Sequence, residues 1–183
     1  MNRDEAFEYL KENMKDENLI KHSLAVEAVM RKLAEKLGED MDKWGLAGLL
    51  HDVDYEKTKD EPEKHSIRSA EMLKNKGLEE ELCYAVKVHN DAHELPKNSL
   101  LDRALYSADP VTGLIVASAL IHPDKRLDSV DLEFLVNRFN ESSFARGVKR
   151  AQIADCEEFD IELTEFLELS LEAMKEISDE LEL

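Results

Sequence analysis

The amino-acid sequence predicts an all-α fold, and three observations carry that expectation. Apolar residues recur at helical spacing along most of the chain, no segment alternates apolar and polar residues as a half-buried strand does, and 183 residues include only 6 glycines and 4 prolines. Ala6, Tyr9, Leu10 and Met14 share one face of a first helix. Leu24, Ala25, Ala28, Val29, Leu33 and Leu37 do the same in a second, which Gly38 closes as a C-cap. Met41 to Val53 is apolar on most sides and therefore central. Pro62 suits the first turn of a fourth helix running to about Asn75, just ahead of Gly77. Glu79 to about Asn90 forms a fifth, and Pro96 punctuates the loop after it.

Leu100 to Ile121 is the most apolar stretch and carries Asp109-Pro110 in its middle. Proline removes an amide donor and crowds the preceding turn, so the helix is expected to end or kink there, with Val111 to Ile121 as a second apolar helix stopping before His122-Pro123. Leu132 to Phe139 and Phe144 to about Cys156 follow. The last segment sets Leu163, Phe166, Leu167, Leu171, Met174, Ile177 and Leu181 on one stripe. Packing of that stripe onto its own domain is expected, in preference to a lid or a dimer seam. With no repeat or linker, roughly eight to nine helices form one domain over residues 1–183, a core at about 18–120 with C-terminal helices 129–182 packed on it.

Composition narrows the function classes. The formal charge is −18, and so acidic a surface repels phosphate backbones, which disfavours general nucleic-acid binding. A small phosphorylated substrate is still compatible, because bound dications reverse the local potential. No apolar run is read as approaching the ~20 residues of a membrane-spanning helix, and the charged, amphipathic start MNRDEAFEYLKENMK is not a signal peptide. Cys83 and Cys156 lie far apart in helical patterns and read as reduced, apolar-like residues. A cytoplasmic protein without a membrane partner, monomeric or homodimeric, is expected.

Five of the six histidines fall between residues 22 and 93. His22, the pair His51-Asp52, His65, His89 and Asp109 make a set suited to two divalent metal ions, since imidazole with carboxylate suits iron, manganese, zinc or nickel and one carboxylate has two oxygens to bridge two ions. A lone His-Asp pair more often makes ordinary hydrogen bonds. Here each candidate lies at or near a helix break, and each comes from a different helix, the way bundles build core metal sites.

At these residues the chain resembles the HD superfamily of metal-dependent phosphohydrolases, in particular hydrolases of the HDIG type. The superfamily's signature is a first His, then His-Asp, then a distant Asp, here His22, His51, Asp52 and Asp109. The resemblance runs from about residue 18 to 120 and is densest over HSLAVEAVMRKLAEKLGEDMDKWGLAGLLHDVDYEKT. His65 and His89 match its binuclear subgroup, which includes hydrolases of dinucleoside polyphosphates and cyclic-di-GMP phosphodiesterases; the chain lacks the Gly-Tyr-Pro motif of the latter. The resemblance implies a compact HD-type bundle. One ion is held by His22, His51, Asp52 and Asp109 and the other by Asp52, His65 and His89, with magnesium also among the admissible metals. It implies hydrolysis of a phosphomonoester or phosphoanhydride of a small metabolite, with a nucleotide as first choice. A di-iron oxygenase and a non-catalytic ligand-sensing module are the rivals.

Other polar residues carry weaker expectations. His93, four positions after His89, is a candidate ligand or proton donor to the leaving group, or a solvated loop histidine. Asp54 is placed to orient a ligand histidine. Lys57, Lys59, Arg68, Arg146, Lys149 and Arg150 are candidate phosphate contacts, the last three within SFARGVKR; salt bridges to the acidic last helix are the plainer reading of that run. His122 reads as structural.

Overall fold

The apolar stripes become the faces on which the helices pack. A computed structural model describes all 183 residues. There are eleven α-helices and three short 3₁₀ turns, with no strand. Nine helices exceed a single turn: α1 (Arg3–Asn13), α2 (Glu17–Leu37), α3 (Met41–Leu50), α5 (Ile67–Asn75), α6 (Glu80–Val88), α7 (Leu100–Ile121), α8 (Leu132–Asn140), α9 (Arg150–Ala154) and α10 (Leu163–Glu176). The single turns are α4 (Tyr55–Thr58) and α11 (Ser178–Leu181).

Local chemistry sets the boundaries. Asn2 and Glu5 form a capping box at the start of α1, the Asp16 carboxylate caps α2, and Asp40 caps α3. Gly38 ends α2 with φ of 73°, the left-handed conformation glycine adopts without a Cβ penalty. α3 lies along α2 in the most extensive helix pair of the fold. Gly48 permits that approach: a Cβ there would sit 2.8 Å from the Val26 carbonyl oxygen. α7 runs through the middle, against α2, α6, α9 and α10. α10 packs on α2, α7 and α8, so the final stripe covers its own domain as expected.

Five expectations need correction. α7 does not break at Pro110 but runs unbroken for 22 residues. An interior proline costs about 3 kcal/mol. Ala104, Leu105 and Ala108 before it, and Val111, Leu114 and Ile115 after it, are all fully buried, and each large side chain contributes roughly 1.5–3 kcal/mol. Packing wins. By length and composition α7 also qualifies as a membrane-crossing helix, contrary to the sequence reading, but 56% of its most apolar window is buried inside the fold, as in a core helix.

The fourth expected helix starts at Ile67, not near Pro62, because Ser66 adopts φ of 68° and breaks the run. Helix α3 stops at Leu50, so His51 and Asp52 stand in the turn after it. Finally, most of Phe144 to Cys156 is not helical. Residues 141–149 form a loop, because the Arg150 guanidinium donates to the carbonyls of Arg138, Phe139, Glu141, Phe144, Ala145 and Val148. Those backbone oxygens are satisfied by a side chain instead of by helix amides.

Candidate metal centre

Six side chains converge where α2, α6, α7 and the turns after α3 and before α5 meet. His22 comes from α2, His51 and Asp52 from the turn after α3, His65 from the turn before α5, His89 from the C-terminal end of α6, and Asp109 from the middle of α7. His22 Nε2 lies 3.0 Å from Asp109 Oδ1 and 4.0 Å from Asp52 Oδ2. His51 Nε2 is 3.5 Å from Asp52 Oδ2 and 3.9 Å from Asp109 Oδ1. On the other side, His65 Nε2 and His89 Nε2 are 3.3 and 3.4 Å from Asp52 Oδ1. The two oxygens of Asp52 thus face different histidine pairs.

Each imidazole is held so that Nε2 is the nitrogen offered to the centre. His51 Nδ1 donates to the Gly48 carbonyl at 2.7 Å and His89 Nδ1 to the Val86 carbonyl at 2.6 Å. A carbonyl only accepts, so these nitrogens carry the proton. His65 Nδ1 bonds Asp54 Oδ1 at 2.9 Å. The Thr112 hydroxyl donates to the Asp109 carbonyl at 2.9 Å and therefore accepts from His22 Nδ1 at 3.2 Å. Four Nε2 atoms are left pointing inward. His51 Nε2 and Asp52 Oδ1 are buried without any hydrogen-bond partner. Orphaned polar atoms are costly to bury, and a divalent cation satisfies both. The groups His22–His51–Asp109 and His51–Asp52–His89 each bring three donor atoms within 4.8 Å of one another. The cluster fits divalent metal, with neutral imidazoles and carboxylates as its donors.

The electrostatics of the metal-free cluster divide its histidines: His51 is held neutral, whereas His22 and His65 hold protons that metal binding would displace. Burial pulls His51 down to about 4, so it is neutral at physiological pH, the form that ligates. Burial pushes Asp52 up, but the histidines His51, His65 and His89 outweigh it and hold the carboxyl well below the usual range. Asp109 is also lowered, burial again being overcome by its hydrogen bond and charge contact with His22, which is raised in turn. His65, although burial opposes it, rises to about 10 between the carboxylates of Asp52 and Asp54.

The comparisons with known proteins follow this geometry. The HD domain family matches residues 19–117, which contain all six convergent residues. The chain belongs to the HD domain family. Relatives include Ribonuclease Y of Desulfotalea psychrophila, 30% identical over 126 residues, and of Oleidesulfovibrio alaskensis, 26% identical over 173 residues. These alignments cover 67% and 91% of this chain but 23% and 31% of the relatives. Ribonuclease Y of Lawsonia intracellularis is 31% identical over 84 residues, 46% of this chain and 16% of the relative. The chain therefore spans less than a third of each of these proteins. No solved structure matches it.

Around the HD cluster the remaining candidates separate. Asp54 is fully buried, and its Oδ2 accepts from the Ser69 amide at 2.9 Å in the first turn of α5; it orients His65. His93 does not line the centre. Its Nε2 donates to the His65 carbonyl at 2.8 Å, and Ser66 Oγ donates to the Lys87 carbonyl at 2.9 Å; the two bonds hold the strained turn that presents His65. His93 is thus placed to position the His65 turn, and the structure does not bring it among the six convergent side chains. His122 packs edge-on to Phe134 away from the site, as expected of a structural residue.

A cleft of about 280 Å³ opens over the cluster, walled by His22, His65, His89 and Asp109 on one side and by Asn90, Gly147, Lys149 and Gln152 on the other. None of Lys57, Arg68, Arg146 or Arg150 lines it. Lys57 bonds the Asn13 side chain, Arg68 and Arg146 point to solvent, and Arg150 is committed to its six carbonyls, so the structure does not bring these four to the cleft. Lys149 is the cation at the cleft, its Nζ 2.6 Å from Asp91 Oδ1. Thr112 and Gly113 escaped the sequence reading because they join the site only if α7 passes Pro110 intact, which sets Thr112 one turn from Asp109.

Proposed function

We propose that the protein is a metal-dependent phosphohydrolase that cleaves a phosphomonoester or phosphoanhydride of a small metabolite, a nucleotide being the first choice. The observation that carries the reading is Asp52, whose Oδ1 faces His65 and His89 while its Oδ2 faces His22 and His51. That arrangement would let one carboxylate serve two ions. His22, His51, Asp52 and Asp109 would hold one, and Asp52, His65 and His89 the other, iron or manganese being favoured by the mixed nitrogen and oxygen donors. Bound ions supply a water activated at neutral pH and stabilise charge on the phosphoryl oxygens.

The chain's own residues supply the rest. The Nδ1 contacts of the four imidazoles leave Nε2 as the nitrogen each would offer a metal, Asp54 keeps the His65 ring aligned, and Lys149 offers an ammonium to a substrate phosphate at the rim of the cleft. The Ribonuclease Y relatives are named for an RNA-cleaving activity, hydrolysis at phosphorus, which agrees with the same chemical class here. A chain of charge −18 with a cleft of about 280 Å³ favours a small anion over a polymer. We place it in the cytoplasm, as a monomer or homodimer.

The test is metal analysis of freshly purified protein, followed by phosphate release from a panel of nucleotides and other phosphate esters with Mn²⁺ or Fe²⁺ added. Close to two equivalents of metal and metal-dependent release are expected. Iron-loaded protein that consumes oxygen yet releases no phosphate from any ester overturns the hydrolase reading in favour of oxygenation.

A further inference from the structure

A second chamber adjoins the metal cleft, between α2, α7 and residues 181–183, with a volume of about 450 Å³. His22 and Gly113 line both spaces, so the two adjoin at the first candidate ligand. The far walls are aliphatic: Ala25, Val116, Ala117, Leu120 and Leu181. Leu120 at 52% and its neighbour Ile121 at 51% are the most exposed large apolar side chains of the molecule. The charged groups at the rim cancel, because Lys21 pairs with Glu182 at 2.5 Å. No Phe, Tyr or Trp side chain lines the chamber, so a ligand against its far walls is held by apolar contact and not by stacking.

We propose that this chamber is the subsite for the organic part of the substrate, and that it selects phosphate esters whose organic group is apolar. The proposal rests on the hydrolase reading for the placement of the phosphate over the metal cluster. A phosphate seated between His22 and Lys149 directs its ester substituent past Gly113 into the aliphatic walls. Gly113 is the threshold. A Cβ there would make only ordinary contact with Val148 Cγ2 at 3.6 Å, so the wall accepts a side chain, and a longer one projects into the passage.

Non-hydrolysable n-alkyl phosphonates, methyl to octyl, titrated calorimetrically into the Mn²⁺-loaded full chain, read the subsite without turnover. Affinity is expected to rise about two- to fourfold per methylene over the first several carbons, the upper figure being that of a fully buried methylene. Leu120→Asp, at an exposed position that folding tolerates, and Gly113→Leu are each expected to flatten that rise. A flat series in the wild-type protein, or an unchanged slope in both variants, overturns the subsite. Release of phosphate from methyl and hexyl phosphate separates the two claims. Chain-length-dependent phosphonate binding without release from either ester leaves the subsite standing and sinks the hydrolase reading. Equal kcat/KM for both esters sinks the subsite alone, and absence of any phosphonate binding sinks both.

Discussion

Asp109 Oδ1 sits 3.0 Å from His22 Nε2, joining the midpoint of α7 to the first turns of α2, the two longest helices of the fold. Because α7 is continuous, Asp109 has no capping duty that asparagine would take over. Asp109→Asn is expected to lower metal affinity or turnover at least 10–100-fold, roughly the cost of disturbing even the residues behind the ligands. The melting temperature of the metal-free protein should move by no more than about 4 °C. Turnover at saturating metal, measured beside the melting curve, decides; wild-type activity removes Asp109 from the ligand set.

Asp52 is the residue placed between both histidine pairs. Asp52→Ala should abolish activity and release more than one equivalent of metal per chain, whereas His65→Ala should lose chiefly one. Elemental analysis after dialysis distinguishes the two. Full metal content in both variants would falsify the bridging assignment.

Gly48 serves twice, admitting α2 at close range and accepting from His51 Nδ1. A Cβ there meets backbone atoms of Val26 and Glu27 at 2.8–2.9 Å, which cannot move aside without shifting the helix. Gly48→Ala should cost about 1–3 kcal/mol and weaken metal retention. Gly45→Ala is the control: its Cβ meets only the flexible Arg31 side chain, and alanine favours the helix. Comparable melting temperatures for the two variants would contradict the close-approach account.

The metal-free protein should show opposite pH responses on its two sides. His65 at about 10 in the fold, against an ordinary 6.5, holds a proton that the unfolded chain gives up. Its stabilising contribution is full below pH 6.5 and is lost as pH rises through about 10. His51, lowered to about 4, acts in reverse: the unfolded chain takes up the proton first, so stability falls as pH drops from 6.5 towards 4. Melting temperatures of chelator-treated protein across this range test both limbs. His65→Asn should flatten the alkaline limb, and an unchanged limb in that variant assigns it to another group.

Lys149 faces the cleft from the loop before α9, paired with Asp91. Lys149→Met should raise KM for a phosphorylated substrate roughly tenfold, the ~1.4 kcal/mol of one charge-assisted contact, with metal content unaltered. Steady-state kinetics with parallel metal analysis check it. An unchanged KM takes Lys149 out of substrate binding.

The ligand set was readable in the sequence because its chemistry is carried by residue type: four imidazoles and two carboxylates, spread over five elements. The first two helices were readable because their signals are local, a stripe of apolar residues closed by Gly38. What was hidden depended on distant partners. Pro110 announces a break, but burial on both sides of it by α2, α6 and α10 outweighs the local penalty. The turn at Ser66 is held by His93 and the Lys87 carbonyl, neither near it in the chain. Arg150 looked like a phosphate contact because an arginine's sequence neighbours do not reveal which carbonyls it will meet.

The loop over residues 141–148 is gripped at its main-chain oxygens by one guanidinium and anchored by Phe144, Ala145 and Val148, which leaves the exposed Ser142, Ser143, Arg146 and Gly147 out of that anchoring. Substitutions there leave the grip of Arg150 intact while changing the wall that faces the metals. Substrate preference in this molecule has a place to drift during evolution, or to be redesigned in the laboratory, at little risk to the bundle beneath.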